Sequence, residues 1–251
     1  MSSPSLDRGV TPASETTPVP GAEVHHAHRD VTGGWLRPAV FGTMDGLVSN
    51  FALIAGVAAG SGDSSVVVLA GLAGLTAGAF SMAAGEYTSV ASQGELARAE
   101  IAIEREELHR RPDAERDELA RLYVERGVEP GLAQEVARQL SHDPDQALEI
   151  HVREELGLDP RDLPSPYVAA VSSFVSFAVG AAVPVLPYLL GATSLIPALI
   201  VALLGLFLTG AAVSTVTSRS WLYSGTRQLV LGGVAAAVTY LLGTLVGMGL
   251  G

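Results

Sequence analysis

The chain has 251 residues, 48% of them apolar and only 16% charged, with a formal net charge of −11 and no cysteine. A charged share well under the ~25% of soluble domains, with the apolar residues gathered in two blocks around a charged one, argues for a membrane protein with a polar insert. The missing cysteines exclude disulfides, thiolate metal sites and thiol catalysis, and the acidity weighs against a nucleic-acid partner.

All fifteen basic residues are arginine. Together with the abundance of Ala, Gly and Val, this points to a high-GC bacterial gene. Residues 1–34 contain "TPASETTPVPGAEVHHAHRD" and have neither periodicity nor an apolar signal-peptide core, so they read as a disordered tail. His25, His26 and His28 in that tail are a sparse metal-collecting signal.

Five apolar segments follow, at about residues 38–59, 66–91, 167–190, 195–216 and 229–250. Each is long enough to cross ~30 Å of hydrocarbon as a helix rising 1.5 Å per residue. Between the second and third lies a different material, residues 93–162, with nineteen Asp and Glu against ten Arg. "ELARAEIAIEREELHRR", "PDAERDELARLYVERG", "EPGLAQEVARQLS" and "DPDQALEIHVREELGL" carry helix-start prolines, a stop glycine and helical apolar spacing. Three or four short amphipathic helices are predicted there. The fold class is therefore all-α: five transmembrane helices with a helical insert between helices two and three. The chain divides into a tail (1–34), helices one and two (35–92), the insert (93–162) and helices three to five (163–251).

Arginine placement predicts the orientation. Arg29 and Arg37 precede helix one, ten arginines lie in the insert, and Arg219 and Arg227 lie between helices four and five. The remaining loops and the C-terminus have none. By the positive-inside rule the N-terminus, the insert and the 4–5 loop are cytosolic, and the C-terminus lies outside a cell inner membrane. Gly56/Gly60, Gly74/Gly78 and Gly243/Gly247 are spaced four apart on apolar helices, a spacing that permits close helix contact but also arises by chance in a chain with 28 glycines.

The spanning segments contain carboxylates. Asp45 lies about two turns into helix one. Glu86, with Met82 one turn before it, lies near the same end of the antiparallel helix two. Asn50, Ser49, Thr43, Ser81 and Met44 are close in sequence to these groups. A charge in hydrocarbon costs at least ~2.5–3.5 kcal/mol on insertion scales. With no arginine inside the hydrophobic runs, two carboxylates need a proton, a metal cation or water. A divalent ion that exchanges with protons would satisfy them. The plainer alternative has both groups facing water near the helix ends.

In the insert, Glu100, Glu104 and Glu107 share one helix face, as do Glu115 and Glu118, while Glu149, His151, Glu154 and Glu155 share the last helix. Spacing alone favours a solvated acidic face with arginine pairs. Glu106-x-x-His109 matches half of a ferritin-like di-iron element, but no second copy exists, which disfavours a ferroxidase. No P-loop, catalytic triad or zinc-finger spacing is present, so neither ATP-driven transport nor enzymatic activity is expected.

"FGTMDGLVSNFALIAGVAAG" and "AGAFSMAAGEYTSVASQGE" resemble the two signature helices of the vacuolar iron transporter family, and the resemblance extends over the chain from about Gly34. It implies a homodimer in the lipid bilayer that exports Fe2+ from the cytosol in exchange for protons, along a path between protomers lined by helix one. It implies that Asp45, Met82 and Glu86, with Asn50 nearby, line that path. It also implies that the insert is a metal-binding domain whose Glu104, Glu107, Glu115, Glu118, Glu149 and Glu155 gather ions. His151 stands near the place where relatives offer a methionine, which extends the expected cargo to Mn2+ and Zn2+. Gly74 stands where many relatives carry an acidic residue. The rival expectation, from another class, is a membrane-anchored metal buffer or sensor that does not transport.

Overall fold

The computed structural model of the chain describes residues 34–215 and 219–250. The histidines of the tail fall outside them. Among the described residues, eight helices and no strand make up the fold: α1 (Leu36–Gly60), α2 (Ser64–Arg110), α3 (Pro112–Glu125), α4 (Pro130–Leu140), α5 (Pro144–Glu155), α6 (Pro166–Leu189), α7 (Leu195–Val213) and α8 (Trp221–Leu250). Five of these, α1, α2, α6, α7 and α8, are long and apolar enough to cross a membrane. The molecule is an all-α membrane protein, as its apolar segments lead one to expect.

Local signals explain the boundaries. Asp63 caps α2 by accepting a hydrogen bond from the Ser65 amide at 2.8 Å, and Asp143 caps α5 through the amides of Asp145 and Gln146 at 2.9 and 3.1 Å. Pro112, Pro130, Pro144 and Pro166 each occupy a first turn, where the missing N–H costs nothing. Gly127 and Gly191, at φ of 93° and 96°, terminate α3 and α6 in the left-handed region that side chains avoid.

One boundary differs from the expectation. The first insert helix is not separate: α2 runs unbroken for 47 residues, from the spanning region through Gln93 and Gly94 to Arg110. At 1.5 Å per residue it is about 70 Å long, more than twice the hydrocarbon thickness. Its second half, with α3, α4 and α5, forms the insert, whose small core is Leu119, Ala120 and Ala137 packed by Tyr123, Leu140 and Ile150. The ion pair of Arg126 with Glu154 ties the end of α3 to α5.

In the spanning bundle α1 is central and touches α2, α6, α7 and α8. Its contact with α6 is a glycine crossing. A Cβ on Gly180 would run into the Thr43 carbonyl, and one on Gly46 into the Phe177 carbonyl. Of the four-apart glycines, Gly56 meets Thr239 and Gly243 of α8, Gly74 faces Asn50, and Gly78 faces the Phe177 ring.

One end of the bundle carries an aromatic collar. Trp35, Tyr87, Tyr167, Trp221 and Tyr223 are all exposed there. Tyr87 and Tyr167 meet edge to face at 5.3 Å, and Ser172 Oγ donates to the Trp35 carbonyl at 2.8 Å, so the start of α1, the middle of α2 and the start of α6 lie level. Exposed Trp and Tyr at one level mark a membrane–water interface. The collar divides α2 into a spanning part and a part that stands out beyond it.

Candidate metal centre and membrane groove

The insert holds three buried polar residues in mutual reach. Glu104 of α2, Glu115 of α3 and His151 of α5 each offer a ligand atom, and these atoms lie within 4.8 Å of one another. His151 is completely buried, and Glu104 and Glu115 are 6% and 7% exposed. Glu155 joins them one turn along α5: its Oε1 lies 2.8 Å from His151 Nδ1. Glu104 Oε1 lies 3.1 Å from the same nitrogen but out of line for a hydrogen bond, and it has no donor. His151 Nε2 is likewise buried without a partner. Among the described residues no arginine pairs with Glu104, Glu115 or Glu155.

Charge shapes this cluster. Burial raises the Glu115 pKa above its ordinary value, and the carboxylates of Glu104, Glu118 and Glu107 raise it further. Burial also raises Glu155, although His151 pulls the other way. Burial opposes protonation of His151, but the carboxylates of Glu104 and Glu155 outweigh it and hold the imidazole pKa above its usual value. A buried negative cluster with an orphaned carboxylate oxygen and an orphaned imidazole nitrogen is suited to a cation. Two oxygen donors and one nitrogen donor fit the divalent transition metals better than Mg2+ or Ca2+, which prefer all-oxygen shells.

The other expected insert residues are placed differently. Glu118 and Glu107 are exposed, and they reach Glu115 through their field. Glu118 has Arg121 at 3.9 Å. Glu149 is taken up by ion pairs with Arg153, at 2.7 Å, and with Arg161, on the side of α5 away from the cluster's pairings. Glu106 pairs with Arg110 at 2.5 Å, and His109 Nδ1 contacts the Arg105 carbonyl, so that motif stays outside the cluster.

In the membrane, Asp45, Ser49, Asn50 and Leu53 of α1 face Gly74, Gly78, Ser81 and Met82 of α2 across a groove of about 340 Å³, closed at its back by Phe177 of α6. Three of the expected path residues, Asp45, Asn50 and Met82, therefore come together. Glu86 is partly exposed next to Tyr87, at the collar, and does not line the groove. Asn50 is buried and joins three helices: its Nδ2 donates to the Gly71 carbonyl at 3.1 Å and to the Ala181 carbonyl at 2.7 Å. One apolar and one polar contribution to the spanning bundle have no clear mark in the sequence. Phe177 has no local signature. Gln228 stands beside Arg227, just before the fifth apolar segment, and reads as a loop residue; it is buried on α8, with its Nε2 3.4 Å from the Met44 sulfur.

Five spanning helices, a buried carboxylate–imidazole cluster outside them and a carboxylate–thioether groove within them define a membrane protein with two groups of side chains whose chemistry suits a cation. Comparison with known proteins agrees. The model of the VIT family matches residues 36–244, and the chain belongs to that family. It is 39% identical over 222 residues to the vacuolar iron transporter of Acanthamoeba castellanii, covering 85% of this chain and 79% of that protein. It is 30% identical to vacuolar iron transporter 1 of Arabidopsis thaliana, over 88% of this chain and 90% of the relative. To vacuolar iron transporter 1 of Oryza sativa it is 32% identical, over 86% and 87% respectively.

Proposed function

We propose that this chain exports Fe2+ from the cytosol in exchange for protons, as a homodimer in the cell inner membrane, with the insert as the capture site. The observation that carries the reading is α2 itself. One unbroken helix bears Glu104 in the buried cluster and Met82 in the groove beside Asp45. The separation of 22 residues is about 33 Å along a single rigid rod.

Glu104, Glu115 and His151 bind the dehydrating ion, with Glu155 orienting the imidazole and the exposed Glu107 and Glu118 drawing cations in by their field. The ion then passes Glu86 at the collar and enters between Asp45 and Met82. Protons arriving from outside compete for Asp45 and release the metal outward. The names of the relatives support iron as cargo. The mixed oxygen and nitrogen donors support Mn2+ and Zn2+ as further cargo. The arginines and the aromatic collar support a cytosolic N-terminus and insert.

The test is metal uptake into proteoliposomes with an acidic lumen and the insert facing the bath, comparing Fe2+, Mn2+ and Zn2+ with and without the gradient. Gradient-dependent uptake that disappears in Asp45→Ala is the expected result. Tight binding by the full chain with no uptake of any of the three ions would instead identify a membrane-anchored buffer or sensor.

A further inference from the structure

Asn50 holds a polar atom that the fold leaves unused. Its Nδ2 faces two helix carbonyls, Gly71 O and Ala181 O, both of which can only accept, so the amide must present its NH2 to them. The carbonyl oxygen, Oδ1, is thereby turned the other way. It is buried and has no donor. It faces Gly74: a Cβ built there would lie 2.6 Å from Oδ1 and 2.6 Å from Leu53 Cδ2. Both residues line the groove that holds Asp45, Ser49, Ser81 and Met82.

We infer that Asn50 Oδ1 is a fixed neutral ligand for the cation in the groove, and that in this chain the ion reaches it through the space that Gly74 leaves open. The inference rests on the reading of the groove as a cation path. The amide is pinned by two bonds to different helices, so its oxygen is aimed without entropy loss when the ion arrives. An oxygen with no donor is an acceptor awaiting a partner, and a partly dehydrated divalent cation supplies one. A neutral oxygen next to a single carboxylate also lowers the charge that must be neutralised when the metal leaves. Asp45 then holds the ion by charge, Met82 by its soft sulfur, and Asn50 by geometry.

A purely structural role for Asn50, as the bond that ties α1 to α2 and α6, makes a different prediction, and two substitutions separate them. Gly74→Ala leaves the two carbonyl bonds available and crowds the oxygen. Asn50→Asp keeps an oxygen facing Gly74 and removes the donors. The experiment measures Fe2+ and Mn2+ flux in proteoliposomes for the wild type, Gly74→Ala, Asn50→Asp and Asp45→Ala, with a thermal unfolding scan on each preparation.

The ligand role predicts that Gly74→Ala loses flux about tenfold or more and changes the Fe2+/Mn2+ ratio, while Asn50→Asp unfolds at lower temperature yet transports better than Gly74→Ala. The reverse order, or equal flux in the two variants, overturns the inference. Where Gly74→Ala does not fold, Asn50→Leu replaces it as the partner of Asn50→Asp. Both variants lose the two carbonyl bonds but only Asn50→Asp keeps an oxygen, so higher flux in Asn50→Asp supports the ligand role, and equal flux overturns it. Absence of flux in the wild type itself would bring down the cation-path reading instead, and loss in Asp45→Ala alone would leave that reading standing without this one.

Discussion

His151 concentrates the chemistry of the insert in one side chain. Its Nδ1 is engaged by Glu155 and its Nε2 is buried with nothing bonded to it, the arrangement in which a carboxylate orients a ligating imidazole. Removing the ligand in His151→Ala is expected to weaken Zn2+ binding by the full chain about a hundredfold, and removing only the orienting charge in Glu155→Gln about tenfold, as read by calorimetric titration in detergent. Equal losses in the two variants would contradict the division of labour. The same groups fix a pH dependence. Glu115 and Glu155 are raised above the ordinary 4.5 and His151 above 6.5, so the folded metal-free insert holds these protons more tightly than the unfolded chain does. That contribution is fully present below 4.5 for the carboxylates and below 6.5 for the imidazole, and it is lost as pH rises through each raised value. Without metal, stability from these three groups therefore falls as pH rises above 4.5 for the carboxylates and above 6.5 for the imidazole; with saturating Zn2+, which takes the place of the protons, the trend reverses. Differential scanning calorimetry in acidic and in mildly alkaline buffer, with and without Zn2+, checks both signs, and a metal effect that is the same in both buffers would remove these groups from the site.

The elements differ in how legibly the sequence announces them. The five apolar segments are readable because a bilayer demands some twenty apolar residues at a time, and α3, α4 and α5 are readable because each opens on a proline and the first stops at a glycine. The continuity of α2 is not readable. Its composition changes sharply near Gln93, and a change of composition looks like a boundary even where the backbone hydrogen bonds run on. The pairing of Glu149 with Arg161 is equally hidden, because Arg161 returns to α5 only after the turn at Gly157; the four-residue spacing to Arg153 was visible, but not that both arginines converge on one carboxylate. In the groove, the polar residues of α1 and α2 declared themselves as charges and amides in an apolar run, whereas the position of Glu86 at the collar depends on where the helices enter the membrane. The unbroken α2 leads to a prediction of its own. Gln93→Pro removes one helical hydrogen bond and kinks the rod at a cost of about 3 kcal/mol. Zn2+ binding to the insert is expected to survive, since Glu104, Glu115 and His151 all lie beyond the break, while flux falls about tenfold because the cluster no longer stands over the groove at a fixed angle. Gln93→Ala serves as the control, and undiminished flux in Gln93→Pro would mean that the two sites do not need a rigid connection.

At the scale of the whole molecule the groove is open along one side. Asp45 is only partly covered by this chain, Ser49 and Ser81 are exposed, and the spanning part of α2 that forms the groove's edge is largely unburied. A carboxylate facing hydrocarbon costs at least ~2.5–3.5 kcal/mol on insertion scales, which a bilayer does nothing to offset. A second copy, set against the first across the same edge, would cover both grooves with one symmetric contact, since a two-fold interface uses the same surface twice. The cation path would then run between protomers and not through either one. The absence of cysteine makes this directly testable. Ala77 is exposed on α2, one turn from both Gly74 and Ser81 along the edge of the groove. Ala77→Cys, introduced into the otherwise thiol-free chain in membranes, is expected to cross-link under mild oxidation to a species of twice the 25.9 kDa protomer mass. The same substitution at Leu208, exposed on α7 away from the groove, is expected to stay monomeric. Cross-linking at Leu208 with none at Ala77 would place the interface on another face and leave Asp45 open to lipid, a position that its charge could not hold without a bound cation or a proton.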